Sequence, residues 1–294
     1  MLERNVHARH GKGFSGVFDP EQYIKQRTAA VEKALETILP DPETRPAILH
    51  EAMRHAVFPA GKRLRPVLCL AAAEAVGTPF ETAVIPAAAV EILHNYTLVH
   101  DDLPCMDDDE TRRGRPSCHS AFGEANAVLA GDALLALAFS ALARQETDPG
   151  TVVALVRELG DAAGSSGVTG GQTEDLAYSA GVAPDLETIQ YIHNCKTAVL
   201  FRCAVRMGGI CGKADESSMN GLSSYGTALG LAFQIADDLA DVEKNETSYL
   251  QVCPRDQAAQ RASEFISRAV EAVADLQSPG RDALEHIARL CSVK

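Results

Sequence analysis

Apolar residues recur at three- and four-residue spacing along nearly the whole chain, in blocks closed by proline, glycine or short polar runs. Ile24, Val31, Leu35 and Ile38 predict a helix over residues 22–39, ending before Pro40-Asp41-Pro42. A second helix, 45–57, stops at Pro59 and Gly61, and a third follows over 67–76. Residues 82–103 form the long central helix, the most continuously apolar of the early blocks. Further helices are predicted over 126–144, 151–163, 185–207, 217–241, 257–276 and 282–290, with residues 164–171 as a glycine-rich hinge. Neither strand-like alternation nor an Asn-Gly hairpin between apolar runs is present. The pattern predicts an all-α fold: one domain over residues 18–294, a bundle of about ten or more helices, too long for a simple four-helix unit.

Composition sharpens this. Apolar residues make up 46% with no Trp, and alanine fills many helical positions, which suits close helix packing. The net charge of −13 argues against a nucleic-acid partner, and an anionic substrate would need local Arg, Lys or metal to offset it. Eight cysteines are scattered without a C-x-x-C pair, as expected of reduced thiols in a cytoplasmic protein. The longest apolar run, 128–143, is interrupted by Asp132 and is short for a bilayer, so no membrane span is expected. Residues 1–17 lack an apolar signal core and are expected to be a flexible extension.

The chemistry concentrates after the central helix. Asp101, Asp102, Asp107, Asp108 and Asp109 crowd into one short stretch, and Arg112, Arg113 and Arg115 follow. Carboxylates at the end of a buried helix repel one another and resist desolvation, so something cationic is expected among them. An all-oxygen donor set favours a hard divalent ion, and Mg²⁺ prefers one or two carboxylates plus phosphate oxygens. The adjacent arginines suit a diphosphate. Six residues separate Asp101 from Asp107, off one helical face, and Pro104 gives the chain a place to turn back. The ordinary reading of such a run is a solvated acidic loop.

A second cluster weighs against that reading. Asp237 and Asp241 stand at i and i+4, with Asp238 between them, at the end of another apolar helix. Like charges at that spacing destabilise a bare helix, which again calls for a metal. Lys62, Arg63 and Arg65 of GKRLRP sit at a helix start, where three cations suggest a bound anion. Lys196 on an apolar helix is costly to bury unpaired. His94 on the central helix and Gln234 could each be ordinary buried polar residues.

Taken together, GKRLRP (61–66), DDLPCMD (101–107), RRGRP (112–116), FGEANAVLAGDALL (122–135), GQTEDL (171–176), Lys196-Thr197 and FQIADD (233–238) make the chain resemble the trans-isoprenyl diphosphate synthases, closest to bacterial-type farnesyl diphosphate synthases. The resemblance runs from about residue 22 to the end and implies a helical bundle built around a central apolar cavity. It implies a prenyltransferase that condenses an allylic diphosphate, dimethylallyl or geranyl, with isopentenyl diphosphate. Asp101, Asp102 and Asp107 from one wall, and Asp237 with Asp241 from the other, would bind several Mg²⁺ ions, with Mn²⁺ as an alternative. The allylic diphosphate would be held by the ions with Arg112, Lys196 and Gln234, and isopentenyl diphosphate by Lys62, Arg65, His94 and Arg113. Asp175 would stand behind the metal ligands, Asp238 would act less directly, Phe233 belongs to the substrate-binding motif, and Thr197 would hydrogen-bond the developing anion. Tyr96, five residues before Asp101, would floor the tail pocket and stop the product at C15, beside the small Thr97. A homodimer is also implied.

One departure stands out. The family usually carries a Gly- and Lys-bearing loop after the second aspartate motif, whereas here DVEKNETSYLQV runs from Val242 almost directly to Thr247, Ser248 and Tyr249. Lys244 is the only lysine nearby and is given no role. Rival readings are geranylgeranyl diphosphate synthesis, a catalytically weak subunit of a heteromeric synthase, a class I terpene cyclase, and an HD-type phosphohydrolase built on His50, His55 and His100-Asp101. The last leaves GKRLRP and the second cluster unexplained.

Overall fold

A computed structural model of the 294-residue chain describes residues 18–58, 61–179, 184–240 and 248–292. The extension expected over residues 1–17, together with Asp241 and Lys244, lies outside the described residues. Asp19 starts α1 (Pro20–Ile38), accepting from the N–H groups of Glu21 and Gln22 at 3.1 Å. The chain continues through α2 (Ala47–Val57), α3 (Leu64–Ala75) and α4 (Val84–Asp101), then α5 (Cys118–Phe122), α6 (Glu124–Ala143) and α7 (Pro149–Ala163). It closes with α8 (Val168–Ser179), α9 (Leu186–His193), α10 (Val199–Cys211), α11 (Glu216–Ala240), α12 (Arg255–Ala272) and α13 (Gly280–Leu290). The all-α bundle read from the sequence is the fold observed.

The central helix α4 packs against α1, α3, α6 and α10. Ala87, Ala88 and Ala89 are fully buried, and their small side chains let those neighbours approach. Ile92 and Leu93 on the same helix are also fully enclosed, each contributing roughly 1.5–3 kcal/mol of burial. On the other side, α11 lies between α10 and α12, while α13 covers α3. Two segments, Phe80–Asp101 and Glu124–Ala143, are long and apolar enough to cross a membrane by length and composition; here they pack against each other. The outer side of α6 leaves Val128 and Leu129 exposed.

Three local expectations are corrected. The helix predicted over 185–207 is broken: α9 and α10 are joined by a π-helical turn, Asn194–Ala198, that carries Lys196 and Thr197. Such bulges spread the backbone and are enriched at functional sites. The helix then runs through Gly208 to Cys211 rather than ending there, and the glycine serves close packing instead: a side chain at that position would strike the Cys69 carbonyl of α3. The hinge is confined to the turn before α8, so GQTEDL is helical. A short hairpin also appears, Thr111–Arg112 pairing with Arg115–Pro116. Its two turn residues, Arg113 and Gly114, have φ of 54° and 73°, the positive values that tight hairpin turns demand.

Candidate active site

The last two turns of α4 direct His94, Thr97, Leu98 and Asp101 to one side, at i, i+3, i+4 and i+7. Across from them α11 presents Phe233, Gln234, Asp237 and Asp238. Between the two helices lies a cavity of about 350 Å³, completed by Arg65, Asp107, Asp109, Arg112, Asp175, Lys196 and Thr197 at its polar end. Val168, Ile192 and Leu200 supply apolar wall. Asp101 and Asp237 therefore share one cavity.

The chain leaves α4 after Asp101 and turns back, the N–H of Asp107 donating to the Asp101 carbonyl at 2.9 Å. Burial pushes Asp101 up to about 7; Lys196 opposes this and Asp107 reinforces it. Asp102 is turned differently. It is buried, accepts from Arg112 Nε at 2.9 Å, and lines a smaller pocket on the far side of the motif. Arg112 is also 2.8 Å from Asp109, so the two acids hold its guanidinium at the cavity edge. Burial raises Asp102 above the usual carboxylate range even though Arg112 pulls the other way.

Lys196 Nζ donates to Asp175 Oδ2 at 2.6 Å, which answers the cost of enclosing a lysine. Burial alone would lower the lysine, but Asp175 and Asp101 outweigh it and raise its pKa. Gln172 donates to Asp107 at 3.4 Å, so α8 supports both the first acidic run and the Lys196 ammonium. Gly171 makes this possible: a Cβ there would lie 2.6 Å from the backbone nitrogen of Lys196. Thr197 Oγ1 donates to Gln234 Oε1 at 2.6 Å, and Gln234 Nε2 donates to Asp238 Oδ1 at 3.0 Å.

The three cations of GKRLRP do not act together. Arg63 is spent inside, bonded to Glu32 at 2.6 Å, Glu91 at 2.5 Å and the Val57 carbonyl at 2.8 Å. It holds the start of α3 in a left-handed conformation, φ 49°. Lys62 is exposed beside Cys291 and does not line the cavity. Arg65 does line it, its guanidinium 4.5 Å over the Phe201 ring and its Nη1 3.3 Å from His94 Nε2. Its buried Nε has no hydrogen-bond partner among the described residues, and burial pushes the group down to about 10. His94 is held well below its ordinary value by burial and by Arg65, so the neutral ring accepts at Nε2 and carries its proton on Nδ1. Arg113 packs over Gly61 and donates to Asn95 at 3.2 Å.

Tyr96 is not among the residues lining the cavity. Its ring meets His100 edge-on at 5.0 Å, on the side of α4 that faces α6, whereas Thr97 reaches the cavity. His100 lies 3.1 Å from the Val128 carbonyl. His50 and His55 bond to the Thr44 and Pro116 carbonyls at 3.0 and 2.8 Å, and neither lines the cavity with Asp101, so the cluster a phosphohydrolase would need is not assembled there. Sequence reasoning gave no role to His193 and Ser248, both in the wall, and saw Asp109 there only as part of the acidic run. His193 precedes Lys196 and Thr197 by three and four positions, a helical spacing that could have flagged it.

Asp101, Asp107 and Asp237 bring carboxylate oxygens to the cavity, hard donors of the kind that hold a divalent ion together with phosphate oxygens. Among the described residues no three Asp, Glu, His or Cys side chains converge on one point.

The fold is that of the prenyl synthases, and its cavity has acid on two helices, guanidinium and ammonium between them and apolar wall beside them. The chain belongs to the polyprenyl synthetase family, whose family model matches residues 46–288. It is 37% identical over 274 residues to a chloroplastic geranylgeranyl pyrophosphate synthase of Capsicum annuum, covering 91% of this chain and 74% of the relative. A chloroplastic geranylfarnesyl diphosphate synthase of Leucosceptrum canum is 42% identical over 246 residues, covering 82% and 67%. Among solved structures, an FPP/GFPP synthase from Zymomonas mobilis superposes with a TM-score of 0.87 at 38% identity, covering 92% of this chain and 98% of that one. The protein is a trans-prenyltransferase that makes prenyl diphosphates.

Proposed function

We propose that the chain, as one domain over residues 18–294, condenses dimethylallyl or geranyl diphosphate with isopentenyl diphosphate and releases farnesyl diphosphate. The observation that carries this reading is the shared cavity of Asp101 and Asp237, with Lys196 and Arg112 at its polar end and apolar wall beside it. Asp101, Asp107 and Asp237 would hold magnesium, or manganese, with Asp241 as a further ligand. The bound ions would supply Lewis-acid charge to the departing diphosphate.

Lys196, held by Asp175, and Arg112, held by Asp102 and Asp109, orient the allylic diphosphate and neutralise charge as its C–O bond breaks. In this reading Asp102 positions Arg112 instead of ligating metal. Arg65 and His94, which line the cavity, receive the isopentenyl diphosphate, whose double bond attacks the allylic carbon; Lys62 and Arg113 lie outside that lining and would add positive charge at longer range. A proton then leaves the new carbocation for the released diphosphate. Leu98, Val168, Leu200 and Phe233 keep water from the cation.

The C15 product rests on the resemblance at Tyr96. A C20 product is the second reading, favoured by Tyr96 lying against His100 while Thr97 faces the cavity. Val128 and Leu129 on the outer side of α6 support pairing with a second copy of this chain. All eight cysteines are free, which suits the reducing cytoplasm. Incubation with labelled isopentenyl diphosphate, an allylic diphosphate and Mg²⁺, followed by chromatography of the dephosphorylated products, tests the assignment. A C15 alcohol is expected, a C20 alcohol selects the second reading, and no elongated product overturns both.

A further inference from the structure

Asp238 is an aspartate of the second acidic cluster whose two oxygens are both engaged by protein. Oδ1 accepts from Gln234 Nε2 at 3.0 Å. Oδ2 accepts from the backbone N–H of Tyr249 at 2.7 Å and lies 3.5 Å from His193 Nε2. The His193 ring stacks on the Tyr249 ring with centroids 6.0 Å apart, closing that side of the carboxylate. Asp238 and His193 are both buried, and both border the cavity.

These contacts have a direction. A carboxylate only accepts, and a backbone N–H only donates. Gln234 must therefore turn its amide nitrogen to Asp238 and its carbonyl oxygen to Thr197. The Thr197 hydroxyl in turn spends its single proton on Gln234, at 2.6 Å. What remains on the Thr197 oxygen is acceptor capacity alone.

We propose that Asp238 is a positioning residue that acts through Gln234 on Thr197, fixing the hydroxyl so that it offers lone pairs to the occupant of the cavity. This deepens the prenyl-transfer reading and rests on it. A hydroxyl so fixed disfavours an anion and favours a carbon that gains positive charge. Thr197 then belongs to the reacting carbon end of the allylic substrate, in contrast to the role in binding the developing anion expected from the sequence. The π-helical turn that carries Thr197 spreads the backbone where this hydroxyl meets α11.

Asp238→Asn keeps the shape and can still accept from Tyr249. Its amide nitrogen now faces Gln234, which must reverse, and the Thr197 proton is pushed into the cavity. The variant is expected to lower kcat about tenfold, the loss of about one hydrogen bond's worth of orientation, with Mg²⁺ half-saturation changed less than about twofold. In a Thr197→Ala background the same change should cost almost nothing more, because the group through which it acts is gone. Gln234→Leu cuts the relay at its middle and gives an independent cycle with Thr197→Ala, which serves if Asp238→Asn loses its thermal transition. Additive losses in these cycles, or a tenfold weaker response to Mg²⁺ in Asp238→Asn, overturn the relay. Wild type that makes no elongated product overturns instead the reading on which it rests, so the two failures are distinct.

Discussion

Asp107 donates its backbone N–H to the carbonyl oxygen of Asp101 at 2.9 Å, so residues six apart in sequence present their carboxylates to one cavity. The end of α4 would not do this if it stayed helical. Asp101→Asn keeps that turn and removes one charge from the wall. Turnover should fall by about 10²-fold or more, the scale on which a preorganised electrostatic group acts. Circular dichroism should be unchanged, because the asparagine is easier to bury than the carboxylate it replaces. Loss of the helical spectrum together with activity would assign the residue to the fold instead.

The same residue sets a pH dependence. Burial pushes Asp101 up to about 7, from an ordinary 3.8, so its ionised form is disfavoured in the folded protein. The stability this group contributes is full below its unfolded pKa and is lost as pH rises through about 7. Protons and Mg²⁺ compete for the carboxylate, and a ligand stabilises the folded state in proportion to its binding. The increase in Tm on adding Mg²⁺ should therefore be larger at about pH 8 than at about pH 5.5. Equal shifts at the two pH values would exclude Asp101 from the metal site.

The helices and both acidic clusters were legible because each is a local pattern: apolar spacing, a terminating proline, carboxylates in one run. Residues whose roles depend on a distant partner were not. Asp102 and Asp101 are neighbours in one motif, yet the last turn of α4 sends one to Arg112 and the other to the cavity. Arg63 looked like a third phosphate ligand beside Lys62 and Arg65, but Glu32 and Glu91 come from α1 and α4 to enclose it. His193 had no motif of its own and gains meaning only where α11 and the Tyr249 segment meet it. The π-helical turn was hidden because an inserted residue leaves the apolar spacing on either side intact.

Arg65 is placed for binding at the expense of stability. Its Nε lacks a partner among the described residues, and burial pushes the guanidinium down to about 10, Glu91 and Asp237 only partly offsetting this. Arg65→Met would keep the contact with Phe201 and remove the enclosed charge. The variant should be as stable as the parent or up to about 2 kcal/mol more stable by denaturant unfolding. Its KM for isopentenyl diphosphate should rise about tenfold or more, as expected for losing a charged hydrogen bond. A destabilised variant with unchanged KM would make Arg65 a structural residue.

Gly171 ties helix packing to chemistry most directly. A methyl group there would sit 2.6 Å from the Lys196 nitrogen and 2.9 Å from the carbonyl carbon and Cβ of Cys195. Two of those atoms are backbone and cannot swing aside, so α8 and the π-helical turn must part. Forcing a methyl into a full interior costs about 1–3 kcal/mol, and that loss should appear in Gly171→Ala. The displacement also draws Lys196 from Asp175 and moves Thr197 against Gln234, so kcat should drop by far more than the stability change alone would cause at a temperature where the variant is folded. Gly160→Ala on α7 is the control: its nearest obstacle is Phe139 at 3.8 Å, ordinary contact. That substitution should leave kcat unchanged and stabilise by up to about 1 kcal/mol through the unfolded chain. Steady-state rates and urea titrations on the pair decide the matter, and a Gly171→Ala enzyme with normal kcat would uncouple α8 from the reacting groups.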